Sequence, residues 1–541
     1  MLTAVLSPAT HGAGASPKWL RHRRIARLLG GGWPYLVPAL VLSVAYGCTL
    51  QRSTGNAFSL DTTKFELVGR VLGTPHPPGY PLYTLLNAAI VRVVPFGSDA
   101  LRANLLSAVF ALLACVVVVW ILTHLGLPPA LRAGGATALG LLPALWQNAV
   151  VAEVYSFTAL FLVAVLACVL AWERTGRRGW LRAGVLIFAL SFAHATSNVL
   201  LVPGLVLYLL LRRPLWLLRP RELLTLAPAS ALLALLPYAY LPWRTAEAGN
   251  SWVETRVYDR HSLLAAITGA QFGDRMWAVD PEVVWTVRLP ALTAAAADQL
   301  GPLLALAALG LLVLMLERFW LAALTLAWAA GTTWFVLWYL VDDWLTLLLP
   351  VWLLVGPWAL VGLHRCLSRA GSRRHRVVTS AVAAALPLAA LLHGYAGADR
   401  RDPDPQLQID AAVAAVPDRS LIFAPTLEAR QQFVYRLLPD DLGLRRQVWA
   451  GEGPNHSQRP DQAVFFLHEY CAPQPGPWPW PWHEQPGSPT VPRGLHTFVY
   501  GDAYAVEVRS HGFPVRQVQG QLYAVRCTDP GGAAEGTRAG R

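Results

Sequence analysis

Apolar residues run in long blocks over roughly the first 395 positions, and from Ala396 the pattern turns mixed. A helix must offer about 20 mostly apolar residues to cross hydrocarbon about 30 Å thick. Windows of that kind fall near 33–50, 103–124, 133–149, 151–172, 183–197, 198–211, 224–242, 300–316, 320–340, 345–363 and 377–395. They predict a mainly α polytopic bundle of about eleven spans. Two long polar interruptions remain, 51–102 and 243–299. In the first, Leu82 to Val94 is apolar but broken by Asn87 and Arg92, which reads as a helix lying in the interface rather than a span. His261 to Phe272 reads the same way in the second. Connections this long are uncommon unless they carry function.

Beyond Ala396 shorter periods appear. Asp410–Val416 and Leu427–Leu438 read as helices, and Leu421–Phe423 as a strand. Further strands are expected around Val464–Leu467, Thr497–Val508 and Leu522–Val525, completing a small α/β domain over 396–541 with a disordered end. Pro473–Trp482, where tryptophans alternate with prolines, reads as an extended polyproline-like surface loop.

Composition agrees with the span pattern. The chain is 55% hydrophobic and 14% charged, with mean hydropathy +0.41, which excludes an ordinary soluble enzyme. The net charge of +12 comes almost entirely from arginine, Lys18 and Lys64 being the only lysines. Its distribution is informative. With residues 1–32 as a cytoplasmic basic segment, every compact cluster between spans falls on that same side: Arg174, Arg177, Arg178 and Arg182; then Arg212, Arg213, Arg219 and Arg221; then Arg365, Arg369, Arg373, Arg374 and Arg376. The positive charge is therefore read as membrane topology, and no nucleic-acid partner is expected. The basic N-region leads into a segment long enough to span, unlike a cleavable signal. The C-terminal domain then lies outside, where Cys471 and Cys527 can pair. None of the six cysteines forms a metal-type pair, and no metal site is expected.

That topology gives meaning to Asp61–Tyr83, the most unusual stretch in the chain. A carboxylate opens it, Phe65, Val68 and Leu72 recur at helical spacing, and a turn stiffened by Pro75, Pro77, Pro78 and Pro81 carries His76. Alone, it reads equally as a capped helix with a tight turn. Ionisable groups at membrane depth are costly, however, and the others gather at the same outer face. Glu153 and Tyr155 lie at one outer helix end, His194 at the next outer turn, Arg244 after Tyr-Leu-Pro-Trp, and Asp342 and Asp343 at another outer end. Each has a structural reading of its own: a cap, a buried histidine, a helix exit. Their coincidence on one face predicts a shared polar site. No nucleophile elbow, zinc-protease or P-loop motif is present. A carboxylate can take a proton from a hydroxyl, and a nearby cation can stabilise a departing phosphate. These groups fit sugar transfer from a lipid-phosphate-linked donor.

The same stretch carries a family resemblance. It resembles the signature Asp-Ser-Gly-Glu, eleven residues, then His-Pro-Pro-Gly-Tyr-Pro-Leu-Tyr, with Asp61 and His76 in register and His76–Tyr83 matching residue for residue. Trp146–Tyr155 and Asp342–Pro350 look like two further segments of that family, and Val416–Leu444 faintly like the start of its outer domain. The family is a many-span group once catalogued as a domain of unknown function. It belongs to the GT-C glycosyltransferases and includes the animal transmembrane O-mannosyltransferase acting on plexin-type receptors. The resemblance implies a GT-C bundle over 33–395 in the plasma membrane, with its active site facing the extracytoplasmic side. It implies a polyprenyl-phosphate-linked sugar as donor, mannose being one candidate, and a protein or glycan hydroxyl as acceptor. Asp61 takes the position of the base and His76 that of the family histidine. Tyr80, Glu153, Tyr155, His194, Arg244, Asp342 and Asp343 are the candidate donor and substrate contacts. The family's Glu falls on Lys64, which can serve as neither carboxylate base nor metal ligand but can meet a phosphate as a point charge. Two rival readings are a transporter or flippase of a lipid-linked substrate and a catalytically inactive scaffold of the same fold.

Overall fold

The computed structural model of the protein describes residues 18–54, 61–247, 253–368, 372–424, 427–437, 448–451, 467, 470–471, 478–479, 490–491 and 495–527. Long apolar runs become helices, because backbone polar groups in lipid must be satisfied within the segment. Helix Lys18–Thr49 is continuous, so the apolar stretch expected from residue 33 is its second part. Among the described residues six helices are long and apolar enough to cross a membrane: Asp99–His124, Tyr155–Thr175, Pro220–Ala246, Phe319–Trp338, Thr346–Leu367 and Arg376–Ala398. A seventh is added if Pro281–Leu300 and Leu303–Glu317, bent by 90° between them, count as one span.

Several expected spans are interrupted. The stretch 133–149 is two helices, Pro129–Gly140 and Pro143–Ala149, because Pro143 cannot continue the first. The stretch 183–211 is helix Arg178–Phe192, a 3₁₀ turn Thr196–Leu201 and helix Val202–Arg212, again with a proline, Pro203, at the new start. Pro81–Val93 is the short apolar helix expected at the interface, and Arg260–Thr268 is its counterpart in the second loop.

The bundle core is continuous from Leu42 and Tyr46 through Trp146 and Leu166 to Trp328 and Leu354. Small residues let helices approach closely in the absence of a water-driven hydrophobic term. Leu303–Glu317 and Leu349–Leu367 touch at Gly310 and Gly362, where an added Cβ would collide with the opposite backbone at Trp358 and Leu306. Asp99–His124 and Tyr155–Thr175 are mostly enclosed, whereas Pro220–Ala246 and Arg376–Ala398 face mostly outward.

Among the described residues the C-terminal part has a five-stranded sheet of order β2-β1-β5-β7-β6 and a separate pair β3-β4: β1 Ser420–Phe423, β2 Val448–Gly451, β3 Trp478–Pro479, β4 Thr490–Val491, β5 His496–Tyr500, β6 Val515–Gln519 and β7 Leu522–Val525. β1 runs parallel to β2 and β5, and β7 is antiparallel to β5 and β6. Ile409 and Phe433, from helices Asp404–Ala415 and Leu427–Leu437, cover one face. Val508 and Tyr470 cover the other. The α/β expectation holds, with two corrections. Thr497–Val508 is not one strand: Gly501, at φ +107°, ends β5, and helix Asp502–Ser510 buries Tyr504, Ala505 and Val508 at helical spacing. Leu467, expected at the end of a strand, is helical, and Val464–Phe466 lie outside the described residues. Cys471 and Cys527 form a disulfide. Of the tryptophan–proline stretch, Trp478–Pro479 pairs antiparallel with Thr490–Val491 in place of a free extended loop.

This domain sits on the bundle through the stretch 51–102. Tyr435 Oη accepts from the Ala100 N–H at 3.1 Å, and its ring packs on Leu67 and lies under Arg70. The Arg400 N–H meets the Thr49 carbonyl at 3.0 Å.

Candidate active site

The site is built around helix Thr62–Val71, in which every residue from Thr62 to Gly69 is buried. Asp61 occupies its N-cap position, yet its carboxylate makes no capping bond. It turns to Lys64 one turn on, with Oδ1 2.9 Å from Nζ. The helix ends at Leu72 in the left-handed conformation, and the loop that follows holds His76. Gly79, at φ +82°, is required there, because a Cβ would stand 2.8 Å from Leu241. Tyr80 then precedes helix Pro81–Val93.

Four side chains converge. Lys64 Nζ lies 3.1 Å from His76 Nδ1, His76 Nδ1 lies 3.8 Å from Asp61 Oδ2, and Tyr80 Oη lies 3.3 Å from His76 Nε2. A fifth partner was not visible as a motif. Glu254, from the stretch 243–299, lies 3.4 Å from Lys64 Nζ through Oε1 and 3.2 Å through Oε2. It is brought there by main-chain pairing of the two loops. Thr74 bridges Val253, the Glu254 N–H reaches the Thr74 carbonyl at 2.9 Å, and Thr74 Oγ1 donates to the Thr255 carbonyl at 3.0 Å. Where the family resemblance placed an acid at position 64, this chain has the cation there and an acid opposite.

Electrostatics divide these groups into two classes. Burial disfavours the Lys64 ammonium, but Asp61 and Glu254 outweigh it and hold its pKa well above the ordinary value. Burial holds His76 below its usual value, so the imidazole is neutral at pH 7. Burial, with Asp61, Glu153, Tyr339 and Asp343 nearby, keeps the Tyr80 phenol protonated.

The remaining candidates fall into three groups. Glu153 joins the cluster from behind: it is buried and accepts from Thr62 Oγ1 at 3.2 Å. Tyr155 donates to Asp343 Oδ2 at 3.1 Å. Low-polarity surroundings and then the Asp61 charge push Asp343 above its ordinary pKa, which puts the pair within electrostatic reach of Asp61. Asp342 is exposed beside it. His194 lies beneath Tyr80 and Phe157, fully buried, with Nε2 3.1 Å from the Val154 carbonyl and 3.0 Å from Thr158 Oγ1. Arg244 is committed within the protein: Nε donates to the Leu72 carbonyl at 2.6 Å, joined by Tyr240 Oη at 2.8 Å, and Nη1 lies 3.5 Å from Glu247 Oε2. These donors satisfy the carbonyl end of the site helix, where positive charge is favoured.

Arg288 is another residue that sequence reasoning passed over. Buried, it donates to the carbonyls of Val336, Leu337, Tyr339 and Val341, and so fixes the turn that presents Asp342 and Asp343. Its signal was an arginine inside an apolar run.

The helix bundle with its small C-terminal α/β domain has the GT-C fold. The fold matches the crystal structure of ArnT from Cupriavidus metallidurans bound to undecaprenyl phosphate, with TM-score 0.58 at 14% identity over 92% of this chain and 98% of that one. The apo form of the same protein matches at TM-score 0.53, with the same identity and coverage. More particularly, residues 61–216 match the family described as Protein O-mannosyl-transferase TMEM260 N-terminal domain. Protein O-mannosyl-transferase TMEM260 of Mus musculus is 32% identical over 256 residues, 43% of this chain. The matched stretch spans about a third of that relative's length, 33%.

Proposed function

We propose that the protein is an integral membrane glycosyltransferase that moves a sugar, mannose by analogy with the mouse relative, from a polyprenyl-phosphate donor to a hydroxyl acceptor. The observation that carries this reading is the Asp61–Lys64–His76–Tyr80 cluster, with Asp61 and Glu254 about a third exposed and Lys64 almost wholly enclosed behind them. The acceptor oxygen attacks the anomeric carbon while Asp61 takes its proton. The bond from that carbon to the phosphate oxygen breaks, and the polyprenyl phosphate leaves with the electron pair. Lys64 meets the growing phosphate charge, and neutral His76 and Tyr80 offer polar contacts without adding charge. Asp343 and Tyr155 are placed to orient the sugar. The undecaprenyl phosphate bound to ArnT supports this donor class. The arginine distribution supports a site on the extracytoplasmic side.

The test is direct. The full chain, reconstituted in nanodiscs with undecaprenyl phosphate mannose and a protein-rich envelope extract, should release undecaprenyl phosphate and add one hexose to an acceptor seen by mass spectrometry. Deletion of the gene should remove one hexose-bearing envelope species. Intact glycans in the deletion strain, with no turnover in nanodiscs, would leave a transporter or scaffold.

A further inference from the structure

An ammonium has three N–H donors. Lys64 directs its own at Asp61 Oδ1 (2.9 Å), His76 Nδ1 (3.1 Å) and Glu254 Oε1 (3.4 Å). The inventory is full, so a phosphate reaching this ammonium must displace one partner. Asp61 belongs to the same helical turn as Lys64, and His76 stands in a loop bounded by Pro75 and Pro77. Glu254 comes from a separate element 190 positions away. About a third of its side chain, 32%, is exposed, against 5% for Lys64, so it lies on the open side of the ammonium. Its N–H is pinned to the Thr74 carbonyl, which lets the side chain rotate without moving the backbone.

We propose that Glu254 is a positioning residue that holds the place of the donor's phosphate: it neutralises Lys64 while the site is empty and gives it up to the incoming anion. This rests on the glycosyltransferase reading above and adds a residue and a binding step to it. The exchange conserves charge around the ammonium, since one anion replaces another. Adding the phosphate without exchange would set three anions against one cation, with His76 neutral. Glu254 therefore competes with the donor, and removing its charge strengthens donor binding, the reverse of what loss of a structural contact does.

The experiment measures undecaprenyl phosphate binding to the full chain in nanodiscs. Glu254→Gln, which keeps shape and an acceptor oxygen, should bind roughly two- to fivefold tighter than the natural protein, the range expected for one partly exposed ion pair. Equal or weaker binding overturns the proposal while leaving the donor assignment standing. If the natural protein binds no undecaprenyl phosphate, the glycosyltransferase reading itself fails. Glu254→Asp, which keeps the charge at shorter reach, should fall between the two and serves if the glutamine variant does not fold. In a Lys64→Gln background the Glu254→Gln change should bring no tightening. Tightening there would mean that Glu254 acts as general charge at the site entrance, and would overturn the exchange.

Discussion

Asp61 and Glu66 stand five residues apart at one short helix, and they are opposite kinds of carboxyl group. Asp61 meets an ammonium at 2.9 Å and is 30% exposed. Glu66 is wholly buried; Oε1 accepts from Gln51 Nε2 at 2.8 Å and from Asn104 Nδ2 at 2.9 Å, and no cation pairs with it among the described residues. Burial raises its pKa from 4.5 to about 8, the two amides offsetting only part of the cost, so it is mostly protonated at pH 7. The helix thus keeps one acid charged at an opening and another neutral in its packing. Side-chain type decides neither; the neighbours do. Lys64 lies one turn from Asp61, whereas the two-residue step from Lys64 to Glu66 turns the latter to the far side of the helix.

The contrast can be broken from the charged side first. Asp61→Asn keeps size and loses the base, and should cut transfer at least ~100-fold with membrane insertion and melting temperature unchanged. Normal turnover would remove Asp61 from the chemistry. Next, Lys64→Met leaves Asp61 and Glu254 facing each other without a cation. It should weaken donor binding and lower stability by about 2 kcal/mol, a value reduced from the fully buried case because both acids reach solvent. A thermal shift in detergent reads the second part, and an unchanged midpoint would show the network to be energetically idle.

The last test comes from the neutral side, and its sign runs with pH. Glu66 has a folded pKa of about 8 against 4.5 when exposed, so between these values the folded state holds a proton that the unfolded state lacks. Stability therefore falls as pH rises from about 4.5 to about 8, and the loss is complete above 8. Glu66→Gln cannot ionise and keeps an acceptor for Gln51 and Asn104. It should melt above the natural protein at pH 8, by a margin that shrinks toward pH 5, with transfer activity retained. A margin that is constant with pH would mean that Glu66 is charged in the fold.

Much of this is legible in the sequence. Apolar windows located the helices, because a membrane leaves the backbone no other satisfied form along those stretches. The His76–Tyr83 run located the loop that closes on Asp61. What stayed hidden lies in relations between distant residues. Glu254 reaches Lys64 from 190 positions away, through a single main-chain bridge that no periodicity announces. Arg244 was legible as a charge at the outer face, but a sequence does not say whether a guanidinium meets ligand or backbone, and here it meets the Leu72 carbonyl. The helix Asp502–Ser510 was missed because Val506 and Val508 mimic a two-residue alternation, while Gly501 breaks the strand before them.

The enclosure of helix Thr62–Val71 limits how the chain can change. An ordinary surface helix has a solvent stripe on which substitutions accumulate freely, giving a rhythm of permissive positions every three or four residues. Here eight consecutive residues, Thr62 to Gly69, are buried, with Tyr435 of the C-terminal domain closing one side and Asn87, whose amide donates to the Phe65 carbonyl at 2.7 Å, closing another. No such stripe exists. A replacement along this stretch is felt by the sheet domain, the bundle or the charged cluster, so the segment can drift only in concert with its surroundings.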